Sequence, residues 1–387
     1  MSAVDLTPTQ QELRDTVAAL AADLYAPRAA AWDADRTPFP GAERRRLAEL
    51  GYLGMGLPPE YGGGGADLLD SLIVIEELAK AAPTAAFPVF EANTGPARVI
   101  DLFGTPEQKQ RLLPPIAAGE VTMAITISEP DAGSAATDMA TAAVLRGDHY
   151  VINGTKRWCS GAGHAEQYLV YVRLNEERGA RAIGALVVDR DSDGLTFGPQ
   201  ERLMGFRGIP SADMFFDDVA VPAENLVIGA GGFGRLFTAF SIERLGNATM
   251  SLAIGQACLD LCAAYVTERR QFGKEIVEFQ TVQTALAEII LQVEAARLLI
   301  GRAAARAGRG APRTLEASLA KCFANEMAKK VADVAVQLHG GYGYSEEYGI
   351  ERLLRDAHGW AIAGGTPTIQ KVRIVSEYLQ RRFNQRA

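Results

Sequence analysis

The strongest constraint on how this chain folds is a hydrophobic period that changes twice along its length. From Pro8 to about Ala118 apolar residues recur every three to four positions, as at Leu13, Val17, Leu20 and Leu24, and at Leu72, Ile75 and Leu78 after the glycines Gly62 to Gly65. That spacing lines one face of a helix. From about Val121 to Leu226 the texture becomes short segments rich in Val, Ile, Tyr and Phe, such as Tyr150-Val151-Ile152, Tyr168-Leu169-Val170-Tyr171-Val172 and Ala185-Leu186-Val187-Val188. Asn153-Gly154 and Asp193-Gly194 read as turns between them, so this stretch is expected to be all β. Beyond Gly231 the helical period returns in two long stripes, Leu245, Thr249, Leu252, Gln256, Leu259, Cys262 and Val266, then Leu286, Ile289, Val293, Ala296 and Ile300. Helices, then strands, then helices predict an α+β architecture, because strands and helices alternate in a wound α/β sheet. No G-x-G-x-x-G opens a βαβ unit, so a Rossmann nucleotide site is not expected. The expected domains are 1–120, helical; 121–228, a β-barrel or sandwich; and 229–387, a bundle of long antiparallel helices.

At 387 residues, 48% of them hydrophobic, the chain is long enough for two or three cores. Its net charge of -8 is spread without acidic or basic blocks, which argues against a nucleic-acid partner. Cys159, Cys258, Cys262 and Cys322 show no paired metal-ligand spacing, and no metal is expected. Cys258 and Cys262 fall one helical turn apart and read as apolar core thiols rather than a disulfide or ligand pair. Met1 to Gln11 lacks the basic start and apolar run of a signal peptide, and no apolar stretch is expected to span a bilayer. The expected location is cytoplasmic, with no membrane partner.

Five strings then carry chemistry together. They are Ile127-Ser128-Glu129-Pro130-Asp131-Ala132-Gly133-Ser134; Asn153-Gly154-Thr155-Lys156-Arg157-Trp158-Cys159-Ser160; Arg269-Arg270-Gln271-Phe272-Gly273-Lys274; Gln337-Leu338-His339-Gly340-Gly341-Tyr342-Gly343; and Arg355-Asp356. In order and spacing they resemble the signature of the acyl-CoA dehydrogenase family over essentially the whole chain. The resemblance implies an N-terminal helical domain, a middle β domain and a C-terminal four-helix bundle. It also implies FAD as cofactor, an acyl-CoA substrate, a homotetramer built as a dimer of dimers, and an electron-transfer flavoprotein as acceptor.

A flavin needs a flat apolar wall, donors at its ring edge and cations for its pyrophosphate. The resemblance implies that Trp158 packs on the flavin, Ser160 reaches its N5 region and Ser128 and Ser134 contact cofactor, Ser134 and Arg244 also meeting CoA. It further implies that Arg269 and Phe272 are donated across a subunit interface, and that Gln337, Gly341 and Thr366 are cofactor contacts. Taken singly, Trp158 also reads as a core tryptophan, Arg269 as a solvated helix-end cation and Gly340-Gly341 as a helix C-cap.

The family's reaction removes the α-proton of an acyl thioester and passes the β-hydrogen to flavin as hydride, which demands a carboxylate. At the family's usual position for that glutamate the chain reads Ala361-Ile362-Ala363-Gly364-Gly365-Thr366 and has none. The isovaleryl-CoA and long-chain branches place the base on a long helix just before an arginine, which resembles Glu243-Arg244 here. Glu243 is therefore expected to be the base, with a raised pKa and with Arg244 turned away; alone, the dipeptide also reads as solvated surface charge. The Gly364 N–H is expected to stabilise the enolate oxygen together with a ribityl hydroxyl of FAD. Thr368, His358 and Ala363 depart from the family's usual residues. Glu91 falls near a segment that resembles the acyl pocket wall, and reads either as a substrate contact or as a surface or helix-end acid. Rival readings are a flavin-dependent monooxygenase, a non-redox acyl-CoA-binding protein, and a desulfinase-like or decarboxylating activity.

Overall fold

The computed structural model describes residues 6–177, 179–381 and 383. Seven helices lead: α1 (Pro8–Leu24), α2 (Ala26–Ala34), α3 (Gly41–Glu49), α4 (Leu68–Ala81), α5 (Pro83–Thr94), α6 (Pro96–Phe103) and α7 (Pro106–Ala117). The sequence writes several of their starts. Thr7 with Gln10, and Thr105 with Gln108, form capping boxes in front of α1 and α7, each followed by proline at the first turn. Helix α4 is buried nearly all round, from Leu68 to Ala79, and forms the centre of this domain.

Eight strands follow: β1 (Met123–Thr126), β2 (Ala142–Arg146), β3 (His149–Ser160), β4 (Gln167–Arg173), β5 (Ile183–Asp189), β6 (Leu195–Phe197), β7 (Ser211–Pro222) and β8 (Leu226–Ile228). They make one sheet in the order β6-β7-β3-β2-β4-β5-β8, with β1 parallel to β4 off this path. Short β2 joins the two halves, and both contribute to one core containing Tyr168, Val170, Leu186, Ile152, Met214 and Phe216. The alternate residues Leu169, Tyr171, Ala185 and Val187 belong to the core shared with the helices. Strands β4 and β5 are thus covered on both faces, which is why their sequences are apolar without alternation.

Asn153-Gly154 is not a turn, contrary to expectation. It lies inside β3, where the register with β7 shifts between Ile152 and Gly154. The β2–β3 turn falls instead at Gly147-Asp148. Gly154 has φ 144°, and a Cβ there would sit 2.6 Å from the Thr141 backbone, so a bulge explains this glycine.

The chain then enters α8 (Phe233–Glu268), a hairpin of β9 (Arg270–Gln271) and β10 (Lys274–Glu275), and α9 (Gln280–Ala307), α10 (Thr314–His339), α11 (Gly341–Tyr344), α12 (Ile350–Ile362) and α13 (Pro367–Tyr378). Helices α8, α9, α10 and α12 pack together and α13 lies on α10. The hairpin escaped the sequence reading; Phe272 (φ 51°) and Gly273 (φ 82°) supply its two left-handed central residues. By length and composition alone α8 could cross a membrane, against the expectation that no stretch could. It is apolar because it packs against α4, α5, α9, α10 and α12. The string Gly229-Ala230-Gly231-Gly232-Phe233-Gly234 leads into it, but β8 is antiparallel to β5 and among the described residues no strand of that sheet follows α8, so no βαβ unit forms there.

Candidate active site

Glu243 lies on the third turn of α8, where that helix meets α5 and the loop between α12 and α13. Contact with α5 is close: a Cβ on Gly246 would come within 2.3 Å of Thr94 Oγ1 and 2.9 Å of the Phe90 ring. Only glycine permits this approach, which brings Glu91, one turn before Thr94, within electrostatic range of Glu243.

The α12–α13 loop reaches the same place. Gly364 and Gly365 take left-handed conformations, φ 65° and 92°, and a Cβ on Gly364 would lie 2.6 Å from Glu243 Oε1. The carboxylate from α8 therefore occupies the space in which a side chain at 364 would begin. Among the described residues the Gly364 N–H donates to no acceptor.

Glu243 Oε2 is sealed from solvent without a hydrogen bond, although the side chain as a whole retains partial exposure. Burial pushes its carboxyl above the ordinary range, against the opposing charges of Lys321 and Arg244. Glu91 is 7% exposed, its Oε2 is also unpaired, and burial with the charge of Glu243 pushes it up to about 8. Glu91 is thus a buried neighbour of Glu243, not a surface acid. The wholly buried Tyr171 hydroxyl, unpaired as well, is another polar group within electrostatic range of Glu243.

Arg244 turns away, with its guanidinium carbon 5.7 Å from the Phe237 ring and Arg373 on α13 4.2 Å from the same ring. At 4% exposure, with Nε and Nη1 unpaired, it is a buried cation with no salt bridge to a carboxylate among the described residues.

The β-domain residues Ser128, Trp158 and Ser160 stand on a braced edge, and Cys159, next to Trp158, lies within electrostatic range of Glu91. Lys156 is wholly buried and donates to Glu129 Oε1 at 2.8 Å and to Ile127 O at 3.0 Å. Arg157 N donates to Ser128 O at 2.9 Å. These bonds tie the loop carrying Ser128 to the end of β3. Trp158 stands there at φ 63°, within a bulge between Lys156 and Cys159, 52% exposed as a residue and with Arg157 4.3 Å from the ring centroid. Ser160 follows it, half-buried, and Ser134 is exposed on the β1–β2 loop. An exposed indole held in an uncommon backbone conformation, with hydroxyls before and after it, fits a flat aromatic cofactor better than it fits a core tryptophan. The Thr366 hydroxyl accepts from Ile369 N at 3.4 Å and caps α13.

The remaining expected residues lie elsewhere in the chain. Arg269 ends α8, about 39 Å from Glu243 at 1.5 Å per residue. Its guanidinium is 5.6 Å from the Tyr342 ring, which places it beside the turn carrying Gly341. Gln337 is exposed near the end of α10, and Phe272, at the hairpin tip, is 94% exposed. One chain therefore presents two separate groups of expected cofactor residues.

Sequence reasoning missed a polar network under the α12–α13 loop. Lys321, wholly buried on α10, donates to Asn325 Oδ1 at 2.9 Å, Ala363 O at 2.8 Å and Gly365 O at 3.1 Å. Asn325 donates to Asn247 Oδ1 at 2.9 Å and Ser251 Oγ at 2.8 Å, and Asn247 donates to Ala363 O at 3.3 Å. The available signal was polar residues four apart, Asn247 with Ser251 and Lys321 with Asn325, on helices otherwise apolar there.

Three family models match the chain: acyl-CoA dehydrogenase N-terminal domain over residues 7–120, middle domain over 124–219 and C-terminal domain over 230–379. A 3-sulfinopropanoyl-CoA desulfinase of Variovorax paradoxus is 39% identical, covering 97% of this chain and 95% of the relative. A probable acyl-CoA dehydrogenase of Bacillus subtilis, YngJ, is 38% identical, covering 97% and 99%. Among solved structures, butyryl-CoA dehydrogenase from Megasphaera elsdenii superposes with a TM-score of 0.93 at 33% identity, covering 97% of this chain and 99% of that one.

Proposed function

The chain belongs to the acyl-CoA dehydrogenase family, and on that premise we propose that Glu243 is the base that takes the α-proton while the Gly364 N–H receives the charge developing on the acyl carbonyl oxygen. The protein is a FAD-dependent oxidoreductase acting on an acyl-CoA. The observation that carries the assignment of the base is that the Glu243 carboxylate fills the start of the side-chain space at Gly364.

Bound FAD supplies the hydride acceptor. The chain does the rest. Burial keeps the Glu243 carboxylate poorly solvated, so proton capture is more favourable than it would be for a carboxylate in water. A thioester α-proton is a weak acid, and a preorganised N–H without a competing acceptor lowers the cost of the enolate. Trp158, Ser128, Ser134 and Ser160 on the braced β edge, with Thr366, hold the cofactor's ring end, and Arg244 meets the CoA arm. Glu91 narrows the acyl pocket and, when protonated, offers a donor to a polar acyl group.

Arg269, Phe272, Gln337 and Gly341 lie too far along the bundle to join that edge within one chain. They complete the FAD site of a second copy, which supports a homotetramer built from paired dimers. Electron-transfer flavoprotein is the proposed acceptor. The test is anaerobic titration of the FAD-loaded protein with short, branched, dicarboxylic and long acyl-CoAs. Bleaching of the oxidised flavin band supports the reading, and no bleaching by any ester counts against it.

The name of the Variovorax relative favours a second reading, loss of sulfite from a 3-sulfinoacyl thioester. Against it, an anionic sulfinate in this pocket would be buried beside the ionised Glu243, and like charges brought together in low dielectric repel. Sulfite release from 3-sulfinopropanoyl-CoA without flavin bleaching would favour it.

A further inference from the structure

We propose that Lys321 is a positioning residue for the reaction: by bonding the carbonyls on either side of Gly364, its ammonium fixes and polarises the peptide whose N–H faces the acyl carbonyl. This rests on the reading above of the Gly364 N–H as the oxyanion donor.

The peptide between Ala363 and Gly364 joins two groups of opposite duty. Its C=O accepts from Lys321 Nζ at 2.8 Å and from Asn247 Nδ2 at 3.3 Å. Its N–H is unclaimed among the described residues. Donating a charged hydrogen bond to an amide oxygen draws electron density from its nitrogen, and bonds in series through one peptide strengthen each other. A cation buried behind the carbonyl therefore makes the N–H on the other side a better donor.

Burial lowers Lys321 to about 8, and the geometry favours its charged form against that cost. Nζ has three acceptors, Asn325 Oδ1, Ala363 O and Gly365 O, at 2.9, 2.8 and 3.1 Å. An ammonium has three protons to give, whereas a neutral amine has two and needs a donor for its lone pair. Among the described residues no carboxylate is bonded to it. The salt bridge that usually accompanies a wholly buried lysine is replaced by two loop carbonyls and an amide, which gives the cation a purpose at the loop.

The same contacts hold the loop in place. Gly364 and Gly365 are both left-handed, a conformation open to glycine at little cost but not self-stabilising. With carbonyls 363 and 365 both fastened to one ammonium, the N–H between them cannot rotate freely. Asn325 and Asn247 fasten that ammonium in turn to α8, the helix of the base. One network thus sets the distance between the proton acceptor and the oxyanion donor.

The experiment is isotope-edited infrared difference spectroscopy of a bound 2-enoyl-CoA labelled with ¹³C at the thioester carbonyl. It uses holoenzyme loaded with FAD or, to remove the ribityl hydroxyl, with 2′-deoxy-FAD. The wild type with 2′-deoxy-FAD is expected to show the carbonyl stretch lowered relative to free ester. Lys321→Met is expected to lose most of that lowering, and its single-turnover flavin reduction with native FAD to slow about tenfold to a hundredfold, at or below the cost of deleting an oxyanion donor. KM should change little. A lowering retained in Lys321→Met overturns the role of Lys321 while leaving the Gly364 donor standing. No lowering in the wild type with 2′-deoxy-FAD overturns the Gly364 reading and this inference with it. If Lys321→Met fails to fold, Asn247→Ala decides: a smaller loss in the same direction supports the polarised peptide, and an unchanged stretch overturns it.

Discussion

A Cβ on Gly364 would lie 2.6 Å from Oε1 of Glu243 and 2.9 Å from Oε2, so the carboxylate on α8 and a side chain on the α12–α13 loop cannot occupy the site together. The small residue at 364 is required by the glutamate at 243. The two positions are alternatives for delivering one carboxylate to one place.

That exclusion predicts the outcome of moving the base. Gly364→Glu alone should be inactive and destabilised, since two carboxyls would compete for one space and φ 65° costs a non-glycine residue about 1–2 kcal/mol. Combined with Glu243→Gly the clash is gone, and part of the activity should return. Anaerobic flavin reduction by acyl-CoA measures this; a double variant as inactive as the single one, though folded and yellow, would refute it.

Glu243→Gln keeps shape and removes the base. Flavin reduction should slow by about 10³- to 10⁴-fold, toward the upper end of what a general base contributes. FAD content and acyl-CoA affinity should be little altered. Stopped-flow absorbance reads the rate, and reduction at the normal rate would exclude Glu243 as the base.

The pH dependence has a definite sign. Glu243 acts ionised and its carboxyl is raised, so reduction should accelerate with pH through a range above that of an ordinary carboxylate. Glu91 is pushed up to about 8 by burial and by the charge of Glu243, so it still holds its proton beside an ionised Glu243. Glu91→Gln should therefore barely move the kinetic pKa, and a downward shift of a full unit would show that Glu91 is ionised in the working enzyme.

Glu91 also predicts a stability profile. Between its ordinary 4.5 and about 8 the native chain keeps a proton that the unfolded chain has lost. Its contribution is fully present below about pH 4.5 and is lost as pH rises through about 8. Glu91→Gln should raise Tm relative to wild type at about pH 8 and leave it nearly unchanged at about pH 5. Calorimetry at the two pH values checks this.

Lys156→Met should leave Glu129 as a buried, uncompensated carboxylate and cost about 3 kcal/mol or more. The tie between the Ser128 loop and β3 would loosen, so the variant should also lose FAD faster. Adding Glu129→Gln should recover part of the stability, measured by denaturant unfolding, because the orphaned charge is then gone.

Phe272→Asp alters no contact of the site around Glu243, because the ring stands at the tip of the hairpin. Reduced FAD content and a smaller assembly in analytical ultracentrifugation are expected if the hairpin serves another copy. Unchanged sedimentation and full FAD content would place the FAD site within one chain.

The sequence by itself determined what depends on local order. Hydrophobic period set the helical, β and helical regions, and the strings around Ser128, Trp158, Arg269 and Gln337, with the exchange of glutamate for Gly364, marked the family and its displaced base. Where that reading failed, the deciding contact came from a distant part of the chain. Asn153-Gly154 is a turn by composition but a bulge because Thr141 presses against Gly154, and the apolar length of α8 reflects burial among other helices. Only the tertiary structure set Glu91 beside Glu243, because that proximity depends on α8 lying directly on α5 at Gly246. Only it joined Lys321 to the Gly364 loop, 42 and 44 residues away along the chain from the carbonyls it holds. A lone lysine in an amphipathic helix has no local mark of its partners; burial leaves its three protons no water to bond, and the packed fold supplies the carbonyls instead.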